Sequence, residues 1–137
     1  YFKIKKLIDM NLIKKISKKV TNLEYKYLLK NSKIMPSPFG WGEIGARDFE
    51  AFFNGCLVIK PDLEYMETWP NYFIKYQTYV PCKLDFSDLE DNIKYYIKNT
   101  DIRLQIVENS QKLLKEIYSE NGMNNFCSRF KKLIGEK

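Results

Sequence analysis

The sequence of 137 residues predicts one α/β domain, or part of a larger one, with a few short parallel strands flanked by helices and a helical C-terminus. Three observations predict this class. An uncharged apolar run at 55–59 is typical of a buried strand, apolar residues three and four positions apart precede and follow it, and the last third of the chain keeps the helical spacing. Hydrophobic residues make up 45% and charged residues 29%, which suits a packed soluble core.

The first third of the chain is predicted to be mostly helical. Lysine pairs alternate with apolar positions over 2–20, which indicates a helix broken near Asn11. Asn22 can cap a second helix over 23–30. A short strand is expected at 33–35.

The middle of the chain is predicted to hold the strands. Prolines and glycines at 36–42 indicate a rigid but open loop. A helix is expected over 43–54, with Gly55 placed to end it. The β-rich run 56–60 then predicts a buried strand that Pro61 ends.

A long aromatic loop and a helical end complete the prediction. Residues 61–77 form the loop, and 78–81 is expected to be another short strand. Loops of this length are often functional. The Ser-Asp-Leu-Glu sequence at 87–90 predicts a capping box that begins a helix. Two further helices are expected, one capped by Asp101 and ended by Gly122, and one spanning 126–134 before Gly135.

The charged residues are unevenly distributed along the chain. The net charge is +6, yet residues 1–33 hold ten lysines and only two acids, so the remainder sums to −2. We therefore distinguish a basic helical lead-in (1–32), an α/β core (33–100) and C-terminal helices (101–137). The basic excess indicates either a solvated helix face or a patch that binds nucleic acid or an anionic membrane surface.

Several function classes are excluded. The chain has no histidine, which removes Ser/His and Cys/His catalysis and histidine-based zinc sites. Cys56, Cys82 and Cys127 are widely spaced and support neither a metal site nor a disulfide framework. No run of about 18 apolar residues occurs. We expect no metal, no cofactor and a cytoplasmic location, with contact to the inner face of the membrane as a further option.

The segment between the first strand and the following helix carries the chemistry. In open α/β sheets, ligands bind at this position, outside the carboxyl end of a strand. Gly40 and Gly42 allow a close backbone approach, and the start of the helix offers unpaired N–H groups to an anion.

The predicted helix that follows has a polar edge. At about 100° per residue, Glu43, Arg47 and Glu50 fall on one side of it. Arginine is a fixed positive fork suited to phosphate, and the carboxylate of Glu50 could accept two ribose hydroxyls. The alternative is an ordinary row of ion pairs on a surface helix, Glu43–Arg47 and Arg47–Glu50.

The same segment resembles a known family. It is similar to the C-terminal, donor-binding half of group 1 type bacterial glycosyltransferases with two Rossmann-like domains (GT-B), and more distantly to protein O-glucosyltransferases and capsule-associated proteins. The first likeness rests on Ser37-Pro38, Gly40, Gly42-Glu43, Arg47-Asp48-Phe49-Glu50-Ala51 and Gly55, and the second on Tyr79-Val80-Pro81 and Asp88-Leu89.

The resemblance implies a reaction and a set of roles. A nucleotide-diphosphate sugar is transferred to a glycan or other cell-surface acceptor without a metal. Arg47 would face the diphosphate and stabilise the leaving group, which makes it the expected catalytic residue. Glu50 would bind the ribose hydroxyls. The resemblance also gives Glu43 a sugar-contacting role, although many relatives carry two glutamates eight apart, whereas Glu43 and Glu50 are seven apart. Ser37, Gly40 and Gly42 complete the expected donor site.

Other residues and partners complete the expectations. Lys60, Asp62 and Tyr79 could line the same cleft, although loop charges such as Asp62 are more often simply solvated. Loop aromatics such as Trp69 and Tyr72 could stack on a base or sugar, or anchor the loop to the core. The resemblance further implies an upstream α/β domain that completes the cleft, so that the chain alone would be inactive. The alternative function is a basic binding module, and nucleic acid is not expected as a partner of the transferase.

Overall fold

The computed structural model describes residues 19–135. The helix predicted over 2–20 lies outside these residues except for its last two, Lys19 and Val20, which are not helical. The described elements, in chain order, are α1 (Asn22–Lys30), β1 (Ile34–Pro36), α2 (Ala46–Phe53), β2 (Leu57–Pro61), β3 (Val80–Cys82), α3 (Leu89–Lys98), α4 (Thr100–Ile117) and α5 (Glu120–Leu133).

The three strands form one parallel sheet in the order β1-β2-β3. Ile34 lies beside Leu57, and Ile59 lies beside Val80. The predicted class of short parallel strands flanked by helices, with a helical C-terminus, is therefore confirmed. Because all three strands run the same way, their carboxyl ends meet at one edge, which is where ligands bind in open α/β sheets.

Side-chain alternation along the central strand builds the core on both faces of the sheet. Every residue of β2 is buried. Leu57 and Ile59 pack on one side against α3 and α4, whereas Cys56 and Val58 pack on the other against α1, α2 and the 62–79 connection. A sheet buried on both faces is typical of parallel α/β proteins.

The first helix is capped by Thr21 and not by Asn22. The Thr21 hydroxyl accepts a hydrogen bond from the Glu24 backbone N–H (3.3 Å), and the Glu24 carboxylate accepts one from the Thr21 N–H (2.8 Å). This reciprocal capping box satisfies two N–H groups at once, which explains why the helix begins one residue before the predicted start.

The second helix begins at Ala46, three residues later than predicted. Gly45 occupies the N-cap position, and its N–H donates to the Asp48 carboxylate (3.0 Å). Glu43 lies before the helix because its carbonyl oxygen accepts from the Lys60 ammonium (2.6 Å). The predicted end is confirmed, since Gly55 follows the helix with a positive φ of 76°, a conformation that glycine adopts at no steric cost.

The later helix starts also differ from the prediction. The capping box expected at 87–90 requires Ser87 at the N-cap of α3, whereas Asp88 occupies that position and caps no N–H group of the helix. The Asp88 carboxylate accepts from the Lys83 backbone N–H (2.9 Å), and the Ser87 N–H donates to the Asp85 carboxylate (2.9 Å). Asn99, not Asp101, is at the N-cap of α4, and Asp101 lies in the first turn.

Gly122 does not end α4, which stops at Ile117; it lies inside α5. A Cβ atom at this position would overlap the carbonyl oxygens of Glu116 and Ile117, so glycine is needed for α5 to start this close to the end of α4. No helix among residues 19–135 has the length and apolar character needed to cross a bilayer.

Candidate functional site

The candidate site lies at the edge of the sheet where the three strands end. The β1–α2 loop, which we define as residues 37–45, follows β1 directly. A cavity of about 510 Å³ opens at the same edge, between this loop and the segments that follow β2 and β3. Its lining includes Phe39, Pro61, Asp62, Tyr65, Lys75, Tyr76, Cys82, Lys83 and Asp88. The cavity therefore sits where the fold class predicts a ligand.

A buried charge pair lies beneath the β1–α2 loop. The Lys60 ammonium is 2.6 Å from the Asp48 carboxylate, and the two side chains are 0% and 1% exposed. Asp48 also accepts a hydrogen bond from the buried Ser37 hydroxyl. Because each charge has a partner and further hydrogen bonds, burying them is tolerable.

Lys60, which was predicted to line the cleft, is therefore buried beneath the loop and lines neither cavity. It belongs to β2, and its ammonium is enclosed by Asp48, the Glu43 carbonyl and the Phe73 ring, whose centroid is 4.7 Å away. Burial lowers the pKa of Lys60, while the hydrogen bond to Asp48 acts in the opposite direction. A ligand could not touch this ammonium unless the loop moved.

Arg47 is half-buried in the first turn of α2 and is held by two neutral oxygen atoms. Its Nε–H donates to the Ser37 hydroxyl (3.0 Å), and Nη2 donates to the Pro38 carbonyl. Within residues 19–135, no carboxylate forms an ion pair with this guanidinium. The interpretation as a row of surface ion pairs is therefore wrong, and the positive charge has no counter-ion in the described part of the chain.

The two glutamates of the predicted polar edge point in different directions. Glu50 accepts a hydrogen bond from the Tyr25 hydroxyl of α1 (3.0 Å). Desolvation, together with the neighbouring Glu50 carboxylate, raises the pKa of Tyr25 to about 12. Glu43 instead interacts with Tyr65 at the cavity, where desolvation and the Glu43 carboxylate raise the pKa of the Tyr65 hydroxyl. Glu43 cannot share a helix edge with Arg47 because it precedes the helix.

The loop glycines are close to Arg47 or face open space. The position of a Cβ atom on Gly40 would be 3.6 Å from Arg47 Nη2, so the loop backbone passes directly by the guanidinium. A Cβ atom on Gly42 would meet no protein atom within 4 Å. Between them, Trp41 is fully exposed at the tip of the loop.

Asp62 and Tyr79 belong to a second polar group beside the cavity. Lys75 lies 2.7 Å from Asp62 and also contacts Glu64. Although desolvation acts the other way, the hydrogen bonds from Lys75 and the Glu64 N–H lower the pKa of Asp62. Tyr79 is buried, and its hydroxyl accepts from the Leu63 N–H (3.2 Å). Lys75 separates the cavity from a smaller one of about 310 Å³, which Tyr79 lines.

Trp69 and Tyr72, the loop aromatics predicted either to stack on a ligand or to anchor the loop, anchor the long connection and do not face the cavity. Trp69 stacks on Phe126 of α5 with ring centroids 5.5 Å apart, and Tyr72 packs edge-on against Phe49 at 4.9 Å. Neither Trp69 nor Tyr72 lines either of the two cavities.

Neither Arg47 nor Glu50 lines either of the two cavities. Phe39, two residues after Ser37 in the β1–α2 loop, lines the larger one. The structure thus brings Ser37, Gly40 and Arg47 together, and leaves Glu50 on the side of α1.

Sequence reasoning missed two residues of this site, Asp48 and Lys75. A signal for Asp48 existed, because Lys60 ends an otherwise apolar strand, and a buried lysine requires a buried anion. Asp48 also lies three and four residues before Ala51 and Phe52, which form the buried face of α2.

Groups of three or more potential metal-ligating side chains do not occur within residues 19–135. Six of the ten lysines of 1–33 lie outside the described residues, so the alternative of a basic binding module stays a prediction. No protein-family model matches the chain, and it has no significant match among curated proteins.

Proposed function

We propose that the chain is the donor-binding part of a glycosyltransferase that uses a nucleotide-diphosphate sugar. The observation that carries the proposal is the state of Arg47. Its guanidinium is half-buried, fixed by two neutral acceptors and without a carboxylate partner among residues 19–135. A cation held this way favours an anion of the size and geometry of a phosphate group.

The position of Arg47 in its helix strengthens this argument. It is the second residue of α2, where the helix dipole is positive and a cation is unfavourable. The unpaired N–H groups of the first turn point the same way as the dipole. An anion bound at this end would interact favourably with both the dipole and the guanidinium, which offsets the cost of placing them together.

The remaining N–H donors of Arg47 suit the proposed ligand. A guanidinium has five N–H donors, and two of them are used by Ser37 and Pro38. The remaining three can reach two phosphate oxygens in the bidentate manner that arginine favours. The cavity of about 510 Å³ at the same edge of the sheet offers room for the rest of a nucleotide sugar.

The proposed chemistry needs a group that stabilises negative charge on the leaving group. In the transfer, the bond between the anomeric carbon and the diphosphate oxygen breaks, and the electron pair stays on the diphosphate. Arg47 and the N-terminus of α2 would stabilise that growing charge more than the ground state. We expect the acceptor base to come from a further domain, so the chain is tested by binding and not by turnover.

Glu50 keeps its proposed role as the ribose-binding carboxylate. One of its oxygens already accepts from a hydroxyl, that of Tyr25, and the side chain is exposed. An ionised carboxylate has about four acceptor positions, which leaves capacity for two ribose hydroxyls. For the transferase we keep the expectation of a cytoplasmic location, of a glycan acceptor, and of activity without a metal.

Calorimetric titration of the chain with UDP, GDP and their sugar conjugates tests the proposal. We expect saturable binding of at least one diphosphate. Arg47→Ala removes charge-assisted hydrogen bonds worth about 1.5–3 kcal/mol, so its Kd should rise at least tenfold. Arg129→Ala is the matched control, since Arg129 belongs to α5 and its guanidinium lies over the ring of Trp69. Absence of binding by all of these diphosphates would refute the assignment, and so would binding with a Kd that Arg47→Ala leaves unchanged.

A further inference from the structure

Both ends of the β1–α2 loop are hydrogen-bonded to one buried side chain, that of Asp48. At its start, Ser37 donates to Asp48, and at its end the Gly45 N–H donates to the same carboxylate (3.0 Å). The Lys60 ammonium bridges Asp48 and the Glu43 carbonyl, each at 2.6 Å.

This network ends at Arg47. The Ser37 hydroxyl that donates to Asp48 also accepts from the Arg47 Nε–H (3.0 Å). A change in the position of Asp48 would therefore move the oxygen that orients the guanidinium. The Arg47 Nη2 bond to the Pro38 carbonyl depends on the same end of the loop.

Stability alone does not explain the buried pair. Replacing a buried ion pair with apolar residues of similar volume is often neutral or stabilising, because desolvating two charges is costly. The neighbouring side of α2 and β2 is apolar, with Ala51, Phe52 and Val58 in one core cluster. An apolar pair could fill the same space, but it would offer no partner to the Glu43 carbonyl or the Ser37 hydroxyl.

We propose that Lys60, acting through Asp48, is a positioning residue that holds the β1–α2 loop and thereby the guanidinium of Arg47. Its effect on ligand binding rests on the proposed function, whereas its effect on the loop does not. Lys60 touches no ligand, since its side chain is 0% exposed. The structure thus separates a group that binds, Arg47, from a group that places it.

The test uses the double variant Asp48→Asn/Lys60→Met, which removes both charges together. The asparagine oxygen can still accept from Gly45 or Ser37, but the Glu43 carbonyl loses its ammonium. The control is Glu90→Gln/Lys94→Met, which removes an ion pair of the same charges from the exposed face of α3 (2.7 Å). Urea unfolding first establishes that both variants fold.

Backbone ¹⁵N relaxation then measures loop order at Glu43 and Ile44. We expect order parameters near 0.85 in the wild type and the control, and a fall towards 0.6 in the Asp48/Lys60 double variant. Unchanged order parameters in a folded double variant would overturn the positioning role, whether or not the chain binds a nucleotide. If the double variant does not fold, Lys60→Met alone is measured, since it leaves Asp48 with two hydrogen-bond donors.

Titration with UDP and GDP adds the second readout. We expect the Kd of the diphosphate that the wild type binds to rise at least tenfold in the double variant and to stay unchanged in the control. Loosening of the loop without loss of affinity would overturn the link to Arg47. If the wild type binds no diphosphate, the proposed function fails, and the relaxation data still decide whether Lys60 holds the loop.

Discussion

The two single substitutions that break the Asp48–Lys60 pair should together cost more stability than the double variant that removes both charges. Asp48→Asn leaves an ammonium that is 0% exposed and has no counter-ion among residues 19–135, with neutral oxygen atoms such as the Glu43 carbonyl as its polar contacts. Such an uncompensated buried charge costs about 3–5 kcal/mol. Lys60→Met should cost nearer the lower value, because the carboxylate keeps the Ser37 and Gly45 donors.

The magnitude is large relative to the whole fold. Domains of this kind unfold with a free energy of about 5–15 kcal/mol, so Asp48→Asn would remove about a fifth of it or more. In the double variant no charge is left unpaired, and we expect a total cost below the sum of the single costs by about 1–3 kcal/mol. Urea unfolding of the four proteins gives this coupling energy.

The exposed ion pair on α3 is the control for this double-mutant cycle. Glu90 and Lys94 form an exposed pair that should contribute only about 0.3–0.5 kcal/mol. If the Asp48 and Lys60 substitutions are additive, or if each costs less than about 1 kcal/mol, the two charges are not buried against each other. The account of the loop anchor would then be wrong.

Three further predictions test the fold. Gly122→Ala should lower the free energy of unfolding more than Gly55→Ala, because the added methyl group would overlap the carbonyl oxygens of Glu116 and Ile117. At Gly55 the cost comes from the positive φ of 76° and is about 1–2 kcal/mol. The reverse order in urea unfolding would count against the α4–α5 packing. A thiol reagent at pH 8 should label exposed Cys127 fast and buried Cys56 and Cys82 only on unfolding, and three fast thiols would contradict the core. Burial raises the pKa of Cys56 from an ordinary 9.0 to about 11, so the folded state holds a proton that the unfolded state loses, and stability should fall as pH rises through this window. Relative to Cys56→Ala the loss should reach roughly 1.4 kcal/mol per pH unit, and a pH-independent difference between the two proteins would refute the assigned burial.

The strands and their direction could be predicted from the sequence because they depend on local apolar runs. The run at 56–60 is buried, and the helices around it have apolar faces at helical spacing. This alternation of strands and helices predicted the parallel strand pairing that the structure has. Helix starts were harder. They depend on which polar side chain reaches a given N–H group, as Thr21 does for α1 and Asp48 does for Gly45.

The site was predicted only in part, because the partners of its side chains depend on tertiary contacts. The loop and Arg47 were identified from their residue types, but the partners of Arg47 are set by tertiary contacts with Ser37 and Pro38. Helical periodicity placed Glu43 beside Arg47 because it assumed that the helix began there. The carbonyl of Glu43 instead bonds to Lys60, a contact between residues 17 positions apart that no local pattern encodes.

Binding of a diphosphate by the Arg47 guanidinium should change the NMR signal of that side chain itself. The ¹H–¹⁵N signal of Arg47 Nε, assigned by its loss in Arg47→Lys, is followed during titration with UDP and GDP. We expect a saturable shift of this signal at the same midpoint as the backbone signals of Gly40 and Ala46. An Arg47 Nε signal that stays in place while the ligand saturates the chain elsewhere would contradict it.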